Sequence, residues 1–197
     1  MRGKNGIEKS LHERVRQGVV VVLLLSAFGT TWAVSEKNGQ RIDIGLSIFP
    51  RVLAVDNDFR HKLTAQGQVK IAFVYSTDQK GAEKLARLIL RQRSTIANVS
   101  VDAVAISIDA LLRKKDQEFS ALFIAEKLSN VEIAELVELG SSNSRIIFSP
   151  FFGDVERGVT IGIMITSRVW PYLNMQTIAD SHIKLNELLI KYAKHYK

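Results

Sequence analysis

Along the chain, continuous apolar runs alternate with stretches in which apolar residues recur at helical spacing. "VKIAFVY", Val69 to Tyr75, is almost wholly apolar between polar ends, as expected of a strand buried on both faces. "VSVDAVAIS" (Val99 to Ser107), "SALFIAE" (Ser120 to Glu126) and "RIIFS" (Arg145 to Ser149) read as three more strands. Between the first two lies "STDQKGAEKLARLILRQR". There Ala82, Leu85, Ala86 and Ile89 make one stripe, and Lys80, Lys84, Arg87 and Arg91 the opposite one. That is an amphipathic helix with a solvated basic face. "SNVEIAELVELG" predicts a shorter helix, opened by a capping box of Ser129 with Glu132 and ended by Gly140.

Ahead of the first strand, Ile44, Ile48, Phe49, Val52 and Leu53 keep helical spacing, but Pro50 interrupts them. A helix that starts at about Ser47 with Pro50 in its first turn removes the conflict. Towards the other end, "VTIGIMIT" and "RVWPYLN" are strands separated by about one residue, Ser167, which predicts a hairpin. "KLNELLIKYAKHY" places Leu185, Leu188, Leu189, Tyr192 and Ala193 on one face of a closing helix. Strand–helix alternation predicts an α/β fold. The expectation is a single domain with a mostly parallel sheet flanked by helices, a C-terminal antiparallel hairpin and a closing helix.

The first residues are different in kind. Arg2, Lys4, Lys9, Arg14 and Arg16 precede the apolar run Val19 to Phe28, and "TWA" follows. That order reads as a secretory signal peptide, with Thr31 and Ala33 offering a cut before Val34. The alternative is an uncleaved anchor, although the run falls short of the ~20 residues a spanning helix needs. The chain is thus expected to divide into a signal peptide (1–33), a polar lead-in (34–41) and one α/β domain (42–197), with the mature protein in the periplasm. Removing residues 1–33 takes away five basic and two acidic residues and lowers the formal charge from +7 to +4. So mild a surplus, without any block of like charge, points to no nucleic-acid partner. The chain has no cysteine, so thiol catalysis, disulfide control and Cys-based metal sites are excluded.

Open α/β sheets bind ligands at the carboxyl ends of their strands. Here those ends carry Ser76, Thr77 and Asp78; Ser107 to Asp109; Glu126; and Ser149 to Phe152. Ser76, Thr77 and the amides entering the next helix could cradle an anion. The plainer reading is that Ser76 with Gln79, or Asp78 alone, caps that helix. No glycine-rich phosphate loop is present. The histidines, His12, His61, His182 and His195, have no metal-ligand spacing, and no nucleophile elbow occurs. No metal, cofactor or catalytic residue is expected.

The segment "FSPFFGDVERGVTIG", Phe148 to Gly162, concentrates the remaining chemistry. Asp154 and Glu156 are two apart, so an extended chain would put both on one side as an acid–base pair. Arg157 beside them, with Gly153 and Gly158 bracketing, reads instead as a solvated turn. Phe151 and Phe152 are adjacent, and both can hardly enter the core. One is then packed under the loop or left exposed as a contact for a partner.

Taken together, "IGLSIFPRVL", "VKIAFVYS", "ALFIAE", "RIIFSPFFGDVERGVTIGIMI" and "SHIKLNELLIKYAK" resemble the YfiR/HmsC-like family of exported bacterial proteins from about Ile42 onward. The resemblance implies a non-enzymatic periplasmic regulator that binds an inner-membrane diguanylate cyclase or other membrane sensor and lowers cyclic-di-GMP synthesis and biofilm formation. It departs where family members often carry a cysteine ahead of the third strand, since Ser120 stands there, and where Val55-Asp56 replaces an aromatic–proline pair. The candidate ligand or partner contact residues are Ser76, Thr77, Asp78, Glu126, Phe151, Phe152 and Arg157, with a homodimer as a further arrangement. The competing readings are a small periplasmic solute-binding or transport component and, more remotely, a hydrolase built on Asp154 and Glu156.

Overall fold

Strand patterns with no polar position inside them need cover on both faces, and the chain provides it. The structure, a computed structural model, describes residues 38–113 and 118–197. The expected signal peptide and the start of the lead-in lie outside the described residues. Residues Arg41–Lys197 form one compact unit, a mixed α/β domain built on an eight-stranded sheet.

In chain order the strands are β1 (Val69–Tyr75), β2 (Thr95–Ile96), β3 (Val99–Ser107), β4 (Ala121–Ile124), β5 (Ile146–Ser149), β6 (Ile161–Ile165), β7 (Val169–Asn174) and β8 (Lys194–Tyr196). Their order across the sheet is β2-β3-β1-β4-β5-β6-β7-β8. The five central strands, β3-β1-β4-β5-β6, are parallel. β6 and β7 make the expected antiparallel hairpin. Because β1 lies between β3 and β4, the chain reverses its direction of winding there, and the carboxyl ends of β1 and β4 flank the switch point.

Helix α1 (residues 38–54) and α2 (Gln79–Gln92) cover one face, and α3 (Ile108–Arg113) and α4 (Asn130–Ser142) the other. Alternate residues of each strand serve the two cores. Ile71, Phe73, Phe123 and Phe148 point to α1 and α2, whereas Ala72, Val74, Leu122 and Ile147 point to α3 and α4. Under α1, Phe49 packs on Phe123 and Phe148 at ring-centre distances of 5.4 and 5.2 Å. Such contacts add to plain area burial.

Four expectations are corrected. α1 does not start near Ser47: it is helical from residue 38, so 38–41 belong to the helix rather than to a polar lead-in, and Pro50 lies inside it. The missing proline amide costs one backbone bond. Burial of Leu46, Phe49, Val52 and Leu53 along the same face offsets that cost. Gly140 does not end α4, which continues to Ser142; a Cβ there would lie 2.5 Å from Ile147 Cδ1, so the glycine serves the approach of α4 to β5.

The closing helix is also shorter than its periodicity suggests. α5 (Met175–Asp180) follows β7, and α6 spans only Glu187–Tyr192 before the chain turns into β8 beside β7. Leu185 is buried outside any helix, because Asn57 N–H donates to Lys184 O (2.8 Å) and Asn186 N–H to Val55 O (3.0 Å). These long-range bonds pull the segment away from helical geometry and onto the end of α1. The fourth correction concerns the 148–162 segment and belongs to the site.

Candidate functional site

Two clusters form at the carboxyl ends of the strands. The first joins four residues singled out from sequence. Backbone N–H groups of Ser76, Thr77 and Asp78 all donate to Glu126 Oε1, at 2.5, 2.5 and 2.9 Å, and the Thr77 hydroxyl donates to Oε2 at 2.9 Å. Successive amides converging in this way make an anion-binding concavity. Here the anion is the protein's own carboxylate. The Ser76 hydroxyl is committed as well, to Glu132 Oε1 at 2.5 Å. Asp78 caps α2 by accepting from Gly81 N–H at 2.9 Å.

Burial pushes the Glu126 carboxyl up, and the donors from Asp78, Thr77 and Ser76 outweigh it, so its pKa lies below the ordinary carboxylate value. Glu132 is also held low, first by the Ser76 hydroxyl and then by its bonds in the Ser129 capping box. Asp78 caps α2, the plainer of the two readings, and the amides at the end of β1 also hold an anion, as an internal latch between the β1–α2 and β4–α4 connections.

The second cluster is the segment between β5 and β6. These strands are parallel, so residues 150–160 form a crossover connection without a helix. Such a connection must carry its own internal structure, and Asp154 provides it. Its side chain is fully buried, accepts from the Ser149 hydroxyl at 2.5 Å, and pairs with Arg157. Arg157 Nη1 donates in turn to Leu128 O (3.2 Å) and Asn130 Oδ1 (2.8 Å), which ties the loop to the start of α4. Gly153 and Gly158 have φ of +88° and +105°, where a side chain would be strained.

The solvated turn is therefore a correction: Asp154 lies inside and Glu156 outside, so the chain is not extended there and the two carboxylates do not share a side. The acid–base pair loses its geometry for the same reason. Phe151 is buried and Phe152 is 82% exposed. Of the two adjacent rings, Phe151 joins the core on the α3–α4 side of the sheet and Phe152 faces outward.

Arg41, which sequence reasoning missed, holds this loop from the other side. From α1 its Nε donates to Pro150 O at 2.6 Å and its Nη2 to Ile163 O at 2.9 Å. Nothing in the local pattern marks it, since its partners are backbone carbonyls 109 and 122 residues away. Arg41, Glu156 and Tyr172 stand around a cleft of about 60 Å³ with apolar walls that include Val155, Ile163 and Ile165, and Phe152 rises at its rim. Burial lowers the Arg41 pKa while Asp154 and Glu156 counter it. For the Tyr172 hydroxyl, burial, then the charge of Glu156 and a hydrogen bond to it, raise the pKa.

Among the described residues no group of three or more His, Asp or Glu could hold a metal ion, and no helix is long and apolar enough to cross a membrane. No family model and no curated protein matches the chain. Among solved structures it is similar to an "ABC domain in complex with L-Trp" from Streptococcus pneumonia, with a TM-score of 0.45 and 13% identity. The match covers 73% of this chain and 61% of that one. A likeness of that size carries no argument about a ligand or a role.

Proposed function

We propose that this protein is a non-enzymatic periplasmic regulator that docks on an inner-membrane signalling protein through the 150–157 loop. The output would be a lowered cyclic-di-GMP level, through repression of a diguanylate cyclase, and reduced biofilm formation. One observation carries the docking surface: Phe152 is 82% exposed on a loop fixed from both sides by Arg41 and by the Asp154–Arg157 pair. A large apolar ring held out by a rigid support loses little entropy on binding, which is how contact anchors work. The basic and apolar pattern of residues 1–33 supports export, and the family resemblance supports the class of partner.

The test is a photo-crosslinking residue at position 152, introduced into the native host. Capture of an inner-membrane protein, together with raised cyclic-di-GMP on deleting the gene, is the expected result. Unchanged cyclic-di-GMP on deletion, with no membrane protein captured, would sink the proposal. The cleft under Phe152 also bears on a second reading, a solute-binding role, and counts against it. Its volume suits one side chain better than a metabolite, whose sites run to roughly 300–1,000 Å³. Thermal-shift screening against small anions and metabolites separates the two, because a true ligand raises stability by mass action.

A further inference from the structure

The four basic residues of α2 form its outermost ridge. Lys80, Lys84, Arg87 and Arg91 are all exposed. At helical spacing they fall within about 60° of one another and span about 16 Å along the axis. Ala82, Ala86 and Ile89 are buried on the opposite side of the helix, so the ridge points directly away from the core. Among the described residues only Arg87 of the four forms a salt bridge, to Glu83 at 3.4 Å. Leu90, 37% exposed, stands beside the ridge. Across the sheet the sign reverses: α4 carries Glu132, Glu135 and Glu138 and no Lys or Arg.

A line of cations on one face, backed by carboxylates on the other, orients the domain towards negative potential. A convex crest of flexible stems offers one folded partner neither a pocket nor a fixed hydrogen-bond geometry. A plane of mobile anionic headgroups meets such a crest at any spacing. We infer that α2 docks along its basic ridge on the surface of a bilayer containing anionic lipid, with Leu90 at headgroup level and α4 turned away. The ridge shares no residue with the 150–157 loop, so the two contacts do not compete for side chains. The inference rests on this charge distribution and not on the function proposed above, although it would hold the regulator on its partner's own surface.

Flotation of the purified full chain with vesicles of phosphatidylglycerol and phosphatidylcholine in equal parts, against phosphatidylcholine alone, tests this. Each Lys or Arg at an anionic surface strengthens partition by about fivefold. Lys80→Gln, Lys84→Gln and Arg91→Gln together should therefore weaken binding to the anionic vesicles by about a hundredfold. The unfolding midpoint should not change, and the difference should shrink as salt rises. Residues 1–33 also carry basic side chains, but they are the same in both proteins. Because the chain has no cysteine, a single nitroxide can be attached at Leu90→Cys or at Glu135→Cys. Only the label on α2 should meet a nickel-chelating lipid in the vesicle.

A wild type with no preference for anionic vesicles, equal partition of wild type and Gln variant, or equal contact of the two labels overturns the inference. If the Gln variant kept its vesicle binding but lost capture of a membrane protein, the ridge would serve an acidic protein surface instead. Absent vesicle binding with membrane-protein capture intact leaves the proposed function standing and removes this inference. Vesicle binding through α2 without any captured membrane protein does the reverse.

Discussion

Replacing Asp154 is the sharpest test of how the 150–157 loop is held. The carboxylate has no exposed surface and accepts from the Ser149 hydroxyl and from Arg157. Removing one partner of a buried ion pair costs about 3–5 kcal/mol. Arg157 softens that figure, because its side chain is 25% exposed and it keeps its bonds to Leu128 O and Asn130. Asp154→Ala should therefore destabilise the protein by about 2–4 kcal/mol. For a domain of this length that corresponds to roughly 5–15 °C in Tm.

Asp154→Asn keeps the shape and part of the hydrogen bonding, and should lose about 1.5–3 kcal/mol, the worth of a hydrogen bond to a charged group. Glu156→Gln, two residues on but exposed, should stay within about ±0.5 kcal/mol. Urea unfolding followed by circular dichroism, with the slope checked for constancy, reads all three. If Asp154→Ala lost less than about 1 kcal/mol, or no more than Glu156→Gln, the loop would not depend on the buried carboxylate.

Three further outcomes are expected. Glu126 has a folded pKa below its ordinary value near 4.5, so the folded protein binds fewer protons there than the unfolded chain. Its contribution is complete above about pH 4.5 and is lost as pH falls through the folded pKa. Glu126→Gln should flatten the acid limb of a stability–pH curve, and an unaltered limb would remove the latch. Gly140→Ala should destabilise by about 1–3 kcal/mol through overpacking against Ile147; adding Ile147→Val removes Cδ1 at 2.5 Å but leaves a γ carbon at 2.8 Å, and should recover only part of the loss in thermal melts. Phe152→Ala should leave the unfolding free energy in urea within about ±0.5 kcal/mol while abolishing capture of a membrane partner. A large loss of stability instead would make Phe152 a packing residue.

The residues themselves determined what local periodicity can carry. β1 and β3 run as their apolar runs indicate, the basic stripe of α2 is exposed, and the Ser129–Glu132 box opens α4. These features depend on neighbours within one turn or one strand, and strand–helix alternation then leads to a covered, mostly parallel sheet. Adjacent phenylalanines likewise announced that one would be left without a place in the core.

Tertiary structure decided where local preference met a distant partner. α1 passes through Pro50 because Phe49 packs edge-on and tilted against rings of β4 and β5. The C-terminal leucine pattern breaks at Leu185 because its neighbours' backbone bonds to the end of α1. At the site, the Asp78 cap of α2 was legible, but not that Glu126 gathers the amides of Ser76, Thr77 and Asp78 from 48–50 residues away. Asp154 and Glu156 looked alike in sequence. Only the crossover from β5 to a parallel β6 turns one inward to Ser149 and Arg157 and leaves the other in water, since a connection with no helix must find its polar partners within itself.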